Sequence, residues 1–283
     1  MSARKPPPHR SLPLGDTDPF RPTPQRPVRL RARTVPTDAH FEPHQHAWAQ
    51  LAYCASGVLR VTAQRSPLGH DEVSYWVPPS RAVWIAPGAR HDIHVLEAAQ
   101  FRTLYLHPSV TPAGWGDCRV LVVSSLLREL VAAFDFSAEG DATGRESRLS
   151  ALVLDEITHA PTQALGVPLP HPQRGDKRLR SLCETLLHQP GQRMTLADWA
   201  RDVGASERTL SRLFQHELGM SFAQWRQQAV LAHALPLLAR GMPVSQVAAA
   251  SGYTSDSAFC AMFKIAMGQP PGAFLSKNRL LPL

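Results

Sequence analysis

The sequence predicts an α+β chain in two parts: a small antiparallel β-barrel carrying a helical hairpin, then an all-α domain of two helix-turn-helix units. Three observations predict it. Between about Val28 and Leu106, short runs of β-branched and aromatic residues are broken at close intervals by Pro and Gly, the texture of a small barrel or sandwich. Between Ser124 and His159 the apolar residues recur at helical spacing instead. Between Thr195 and Phe274 a helix, a glycine turn and a helix occur twice. Gly204 and Gly252 are 48 residues apart and Phe214 and Phe263 are 49 apart, so the repeat keeps its register to one residue.

A chain of 283 residues suits two domains and is long enough for a buried core. Its net charge of +7 is unevenly spread. Residues 1–36 hold eight basic and two acidic side chains, residues 37–175 ten and fourteen, and residues 176–283 twelve and seven. The basic C-terminal part suits a polyanionic partner, while the acidic middle argues against nucleic acid wrapping the whole protein. Cys54, Cys118, Cys183 and Cys260 form no CxxC pair, which disfavours a disulfide framework or zinc finger and points to reduced thiols in cytoplasm. No apolar run reaches the length of a membrane span, and the first residues lack a hydrophobic signal core. A soluble protein with no membrane partner is expected.

Residues 1–27 form a Pro- and Arg-rich tail; the first 36 residues hold nine prolines and almost no apolar periodicity. Such a segment buries too little surface to offset its ordering entropy, so it is expected to be disordered. Residues 28–160 make the barrel and hairpin. The strand-like runs are LAYCASGVLRVTA, VSYWVPP, RAVWIAPG, HDIHVLE and FRTLYLHP. His44 and His46 stand two apart, so on one strand both would face the same way, with Gln50 on that face; a GxxH turn follows at Gly88 to His91. Neutral imidazoles can hold a divalent transition metal, can hydrogen-bond an organic effector, or can form a satisfied polar cluster with no ligand. His40, His94, Trp48, Trp84, Tyr75 and Trp76 are expected to pack or to rim this site. Past TPAGWGD the strands are expected to end. Two amphipathic helices follow, near Ser124–Phe134 and Arg145–His159, joined by the EGDATG loop, and their apolar faces either cover the barrel or pair with a second copy.

Residues 161–175, rich in Pro and without period, are the expected linker between movable halves. Residues 176–283 form the helical domain. A helix near Lys177–Leu187 leads into the first unit, in which Thr195 caps one helix with Asp198 three residues on, Gly204 makes the left-handed turn, and Ser206 caps the next. Leu210, Leu213, Phe214 and Leu218 form the buried stripe of that second helix, leaving Arg208, Ser211, Arg212 and Gln215 outside. In the second unit Phe259, Met262, Phe263 and Ala266 repeat the stripe, and Ser255, Asp256, Ser257 and Lys264 share the outer surface with Cys260 and Ala261.

Ser206 to Phe214 reads SxRxLxRxF, Gly252 to Lys264 reads GYTSDSAFCAMFK, and Gly268 to Phe274 reads GQPPGAF; with these strings the last hundred residues resemble the DNA-binding domain of AraC-type transcription regulators. That resemblance implies two reading helices in successive major grooves about 34 Å apart. It places Ser206, Arg208, Ser211, Arg212, Gln215, Ser255, Asp256, Ser257 and Lys264 against promoter DNA, the arginines reading bases and the second unit chiefly anchoring phosphates. The segments HQHAWAQLAYCASG and PGARH resemble the paired motifs of cupins, with Gln50 where a carboxylate normally sits. A cupin-like sensor before an AraC-type domain implies a transcription regulator whose effector or metal binds at His44, His46, Gln50 and His91. It also implies a homodimer and RNA polymerase as partners. The rival class is a metal-dependent cupin enzyme with an accessory DNA-binding domain; Gln50 and the lack of an acid/base pair argue against it, and no catalytic residue is expected. Val230 and Ile265 stand where the family usually carries Arg, and Pro236 falls inside the helix joining the two units, where it removes a hydrogen bond.

Overall fold

The computed structural model describes residues 10–12, 17–65, 72–134, 144–163, 165–171 and 173–274. The strands are β1 (Arg10–Leu12), β2 (Val28–Val35), β3 (Ala39–His44), β4 (Ala49–Cys54), β5 (Val58–Gln64), β6 (Glu72–Val77), β7 (Arg81–Ile85), β8 (His91–Glu97), β9 (Ala99–Leu106), β10 (Arg119–Val122), β11 (Thr162–Gln163) and β12 (Val167–Pro168). They form two facing sheets, one in the order β1-β3-β8-β5-β6-β12 and the other β11-β10-β7-β4-β9-β2. The pairings are antiparallel apart from β1 with β3. In β5, β6 and β8 burial alternates along the strand, as it must where one face meets the core. In β4 and β7 every residue is buried, because their sheet is covered on both sides.

The second cover is the helical hairpin, α1 (Ser125–Ala133) and α2 (Arg145–His159). Leu127, Leu130, Val131, Phe134, Val153 and Ile157 pack with Leu51, Trp84, Leu104 and Leu121. Ser124 caps α1 by accepting from the Leu127 amide at 2.9 Å, and its hydroxyl donates to Glu156 of α2, which fastens the two helices. Most of the EGDATG loop lies outside the described residues.

Three expectations are corrected here. The first 27 residues are structured in part: β1 lies beside Ala39–Phe41, and Arg26 donates from Nε to Glu146 of α2 at 3.0 Å. Composition judges a segment alone, whereas here a sheet edge and an acidic helix start supply the partners; the expected disorder of residues 1–9 and 13–16 lies outside the described residues. The 161–175 stretch is likewise no free tether. β11 joins β10 and β12 joins β6, burying Val167, and Pro168 is tolerated because an edge strand leaves its missing N–H unneeded. Finally, strands continue past TPAGWGD, since the apolar run at Arg119–Val122 pairs with β7.

The helical domain consists of α3 (Lys177–His188), α4 (Leu196–Asp202), α5 (Glu207–Leu218), α6 (Phe222–Ala239), α7 (Val244–Ala250) and α8 (Asp256–Met267). Thr195 and Asp198 form the anticipated capping box, and Gly204 and Gly252 take φ of +65° and +83°, which a side chain would resist. Pro236 begins the last turn of α6, so the helix runs on to Ala239 at the cost of one donor. α6 rests across β5, β6 and β8. Its indole at Trp225 donates to the Pro168 carbonyl at 2.8 Å, and Arg240 at its end pairs with Glu97 at the end of β8. Buried Arg81 of β7 donates to the Met267 carbonyl at the C-terminus of α8 at 2.9 Å and to Gln163 Oε1 at 2.5 Å. A cation at a helix C-terminus meets the negative end of the helix dipole, which suits this guanidinium to its buried place.

Candidate functional site

The two sheets bring His44, His46, Gln50 and His91 together. His44 ends β3 and is the register partner of His91, which begins β8; Gln50 comes from β4 in the opposite sheet. The expectation that His44 and His46 share one strand face is corrected. β3 ends at His44 after a bulge, and His46 reaches the cluster from the following loop. One nitrogen from each histidine lies within 4.8 Å of the others, and this is the cluster of metal-ligating type found among the described residues.

The hydrogen bonds decide which nitrogens face inward. Nδ1 of His44, His46 and His91 lies 2.8, 2.7 and 2.9 Å from the carbonyls of Glu42, Trp48 and Ala89. A carbonyl accepts, so each Nδ1 carries the proton and each neutral ring leaves an Nε2 lone pair. His46 Nε2 and His91 Nε2 then meet Gln50 Oε1 at 2.8 and 3.2 Å. With each ring's proton on Nδ1, two imidazole nitrogens and an amide oxygen converge there, a donor set that a transition-metal cation satisfies. Burial lowers the pKa of all three histidines, that of His91 to about 3, so they are neutral near pH 7.

Residues that sequence reasoning passed over complete the surroundings. A void of about 20 Å³ beside His44 and Gln50 is also lined by Arg31, Arg33, Thr103 and Tyr105. Its volume has room for an ion or a water but not for an organic molecule of ordinary size. Trp48 stacks on His46 at 5.1 Å, and Tyr105 meets that ring edge-on at 5.8 Å. Of the other expected neighbours, Trp84 is core, Tyr75 is buried, and His40 stacks on His94 with ring centres 5.2 Å apart.

In the helical domain, α5 and α8 each follow a glycine turn and expose one polar surface. Ser206, Arg208, Ser211, Arg212 and Gln215 are all exposed, as are Ser255, Asp256, Ser257 and Lys264. Ser206 and Ser255 cap their helices, accepting from the Thr209 and Ala258 amides at 3.1 and 3.4 Å. Beneath these faces Leu210, Phe214 and Leu218, and Phe259, Phe263, Ala266 and Met267, are buried. Ile265, in a position where an Arg was looked for, is 81% exposed.

Two family models match this chain: a helix-turn-helix domain over residues 199–277 and an AraC-like ligand binding domain over residues 27–210. The HTH-type transcriptional regulator NimR of Escherichia coli is 34% identical over 244 residues, covering 85% of each chain. The Arabinose operon regulatory protein of Escherichia coli is 30% identical over 138 residues, 48% of this chain and 47% of that one. Among solved structures, ToxT from Vibrio cholerae aligns over 90% of this chain and 99% of its own at 14% identity and a TM-score of 0.38. No helix among the described residues is long and apolar enough to cross a membrane.

Proposed function

The chain belongs to the AraC family of DNA-binding transcription regulators, and on that premise we propose that it reads promoter DNA through α5 and α8 under the control of a divalent transition metal held by His44, His46, His91 and Gln50. The convergence of unprotonated Nε2 and Oε1 atoms carries the metal reading. Three neutral imidazoles and an amide suit zinc, nickel, cobalt or copper, and the missing carboxylate makes the site weaker than an acidic one. Arg31 and Arg33 line the same void, so an ion there is favoured in company with an anionic ligand. The ion would join β3 and β8 of one sheet to β4 of the other.

β8 begins at His91 and ends at Glu97, whose carboxylate holds Arg240 at the end of α6, the helix that joins the two reading units. Tightening β8 would therefore bear on the helix that sets the angle between α5 and α8. That is a two-ended mechanical element of the kind a ligand can bias. Arg208 and Arg212 supply guanine-type readout, and the second unit, with Ser257 and Lys264, anchors the backbone. Leu126 and Leu152 stand 53% and 50% exposed on the outer side of the hairpin, which supports pairing with a second copy there.

The test is selection of bound duplexes from random sequence by the full chain, followed by salt titration. A single enriched motif is expected, and Arg212→Ala should relax the preference at one position of it by about 1–3 kcal/mol. Enrichment of no motif, or an unaltered motif with Arg212→Ala, contradicts the reading.

A further inference from the structure

The two reading units have separate cores on α6. Trp225 and Ala229 of that helix share a core with Trp199, Leu210 and Phe214 of the first unit, whereas Leu231, Leu235 and Leu238 share one with Val247, Phe259 and Phe263 of the second. Apolar packing is non-directional, so a helix with a unit at each end holds both without by itself dictating the angle between them. A directional link crosses from one unit to the other beside α6. It joins residues 189–194, which lead into α4, to residues 251–254, which lead into α8.

Main chain meets main chain at that crossing. A methyl group added to Gly191 would lie 2.9 Å from the Ala250 carbonyl oxygen, and one added to Gly252 would lie 2.7 Å from the Gly191 carbonyl oxygen. Gly252 also carries the positive φ of its turn, but Gly191 does not, so close approach is the reason the geometry gives for a glycine at 191. Arg226 of α6 clamps the same segment. It donates from Nη2 to the Gln192 carbonyl at 2.6 Å and from Nη1 to the Met194 carbonyl at 3.3 Å. On its other side it lines a groove with Ser251, Gly252 and Tyr253 of the second unit. Both ends of the link reach a reading helix. Thr195, directly after the clamped segment, caps α4, and Tyr253 meets Phe259 of α8 edge-on at 5.5 Å.

We propose that Arg226 and the contact of Gly191 with Gly252 are positioning elements: they fix the separation and angle of α5 and α8, and thereby the half-site spacing that the protein accepts. The inference rests on the reading in which both helices enter the major groove. A rigid joint concentrates the second unit at one spacing, whereas a loosened joint spreads it over several.

The test measures binding of the full chain to the selected duplex and to a copy with one extra base pair between the half-sites, which displaces one of them by about 3.4 Å and roughly a tenth of a turn. The wild-type protein is expected to lose about tenfold or more on insertion. Gly191→Ala, which wedges the contact open, and Arg226→Met, which removes the clamp, should bind the original duplex more weakly and lose no more than about threefold on insertion. Arg226→Lys, which keeps a donor for one carbonyl, should fall between. Indifference of the wild-type protein to the insertion overturns the proposal, as does a full wild-type penalty in both Gly191→Ala and Arg226→Met. A second measurement involves no DNA. Spin labels at Gln215→Cys and Ala261→Cys, in a Cys260→Ser background, report the distance between the exposed faces of α5 and α8. One narrow distance distribution is expected, broadened or shifted in Gly191→Ala and Arg226→Met. Identical distributions in all three proteins overturn the proposal, whatever duplexes are selected; the expected distributions without any selected motif uphold the joint and count against the DNA reading alone.

Discussion

At the scale of single residues, the chemistry turns on where protons sit. Each histidine of the cluster spends its Nδ1 proton on a main-chain carbonyl, so the interior receives lone pairs. Gln50→Glu adds the anionic ligand that the motif lacks and is expected to tighten divalent-ion binding by roughly an order of magnitude, since ligand charge tunes such affinities; competition against a chromophoric chelator measures it. Unchanged affinity would mean that Gln50 does not face the ion. A second consequence concerns pH in chelator-treated protein. The folded-state pKa values of His44, His46 and His91 lie below that of a free histidine, so the unfolded chain binds more protons once the pH drops below about 6.5. The stability contributed by these neutral rings is therefore whole above about pH 6.5 and is lost as the pH falls towards 3. Urea midpoints should decline across that window and flatten in His91→Gln; equal slopes in both proteins would contradict the assignment. The cluster was legible from HQH, Gln50 and GARH alone. Arg31 and Arg33 were not, because alternating arginines on a strand read by default as a solvent face, and only the register of β2 against β9 turns them to the void.

At the scale of elements, the joints between domains matter more than composition suggested. Arg81 reaches from β7 to the last carbonyl of α8, and its removal leaves a buried acceptor without a donor. Arg81→Met is expected to cost about 1–3 kcal/mol in denaturant unfolding and to expose the 161–175 stretch to proteolysis. An unaltered cleavage rate would mean that the joint is held elsewhere. The helices were legible because capping is local chemistry: Thr195 with Asp198, Ser206, and Gly204 announce their own geometry. β10, β11 and β12 were not, since two- to four-residue strands acquire their identity only from the sheet that receives them. The hairpin was half legible. Its buried leucines cover the barrel as one reading held, while Leu126 and Leu152 keep the other in play. Replacing both by Asp should shift a dimer to a monomer in sedimentation velocity without lowering the melting temperature; an unchanged sedimentation coefficient would place any dimer contact on another surface.

At the scale of the whole molecule, a sensor and a reader are joined by a linker sewn into both. β12 extends the barrel sheet while the carbonyl of Pro168 anchors Trp225 of α6, so the barrel and the reading units share one mechanical frame. The two-domain plan and the tandem repeat were readable from spacing. The frame was not, because it depends on long-range pairs such as Arg240 with Glu97 that leave no periodic trace. Lys264→Ala, at an exposed position on α8, should weaken binding evenly across sequences and reduce the salt slope by about one. The most direct test of the central claim, that the histidine site governs DNA reading, is fluorescence anisotropy of the selected duplex with the full chain, zinc-loaded and chelated. The expected result is an affinity that differs about fivefold or more between the two states and no longer differs in His46→Ala. The same affinity in both states, with zinc shown to be bound, would contradict it.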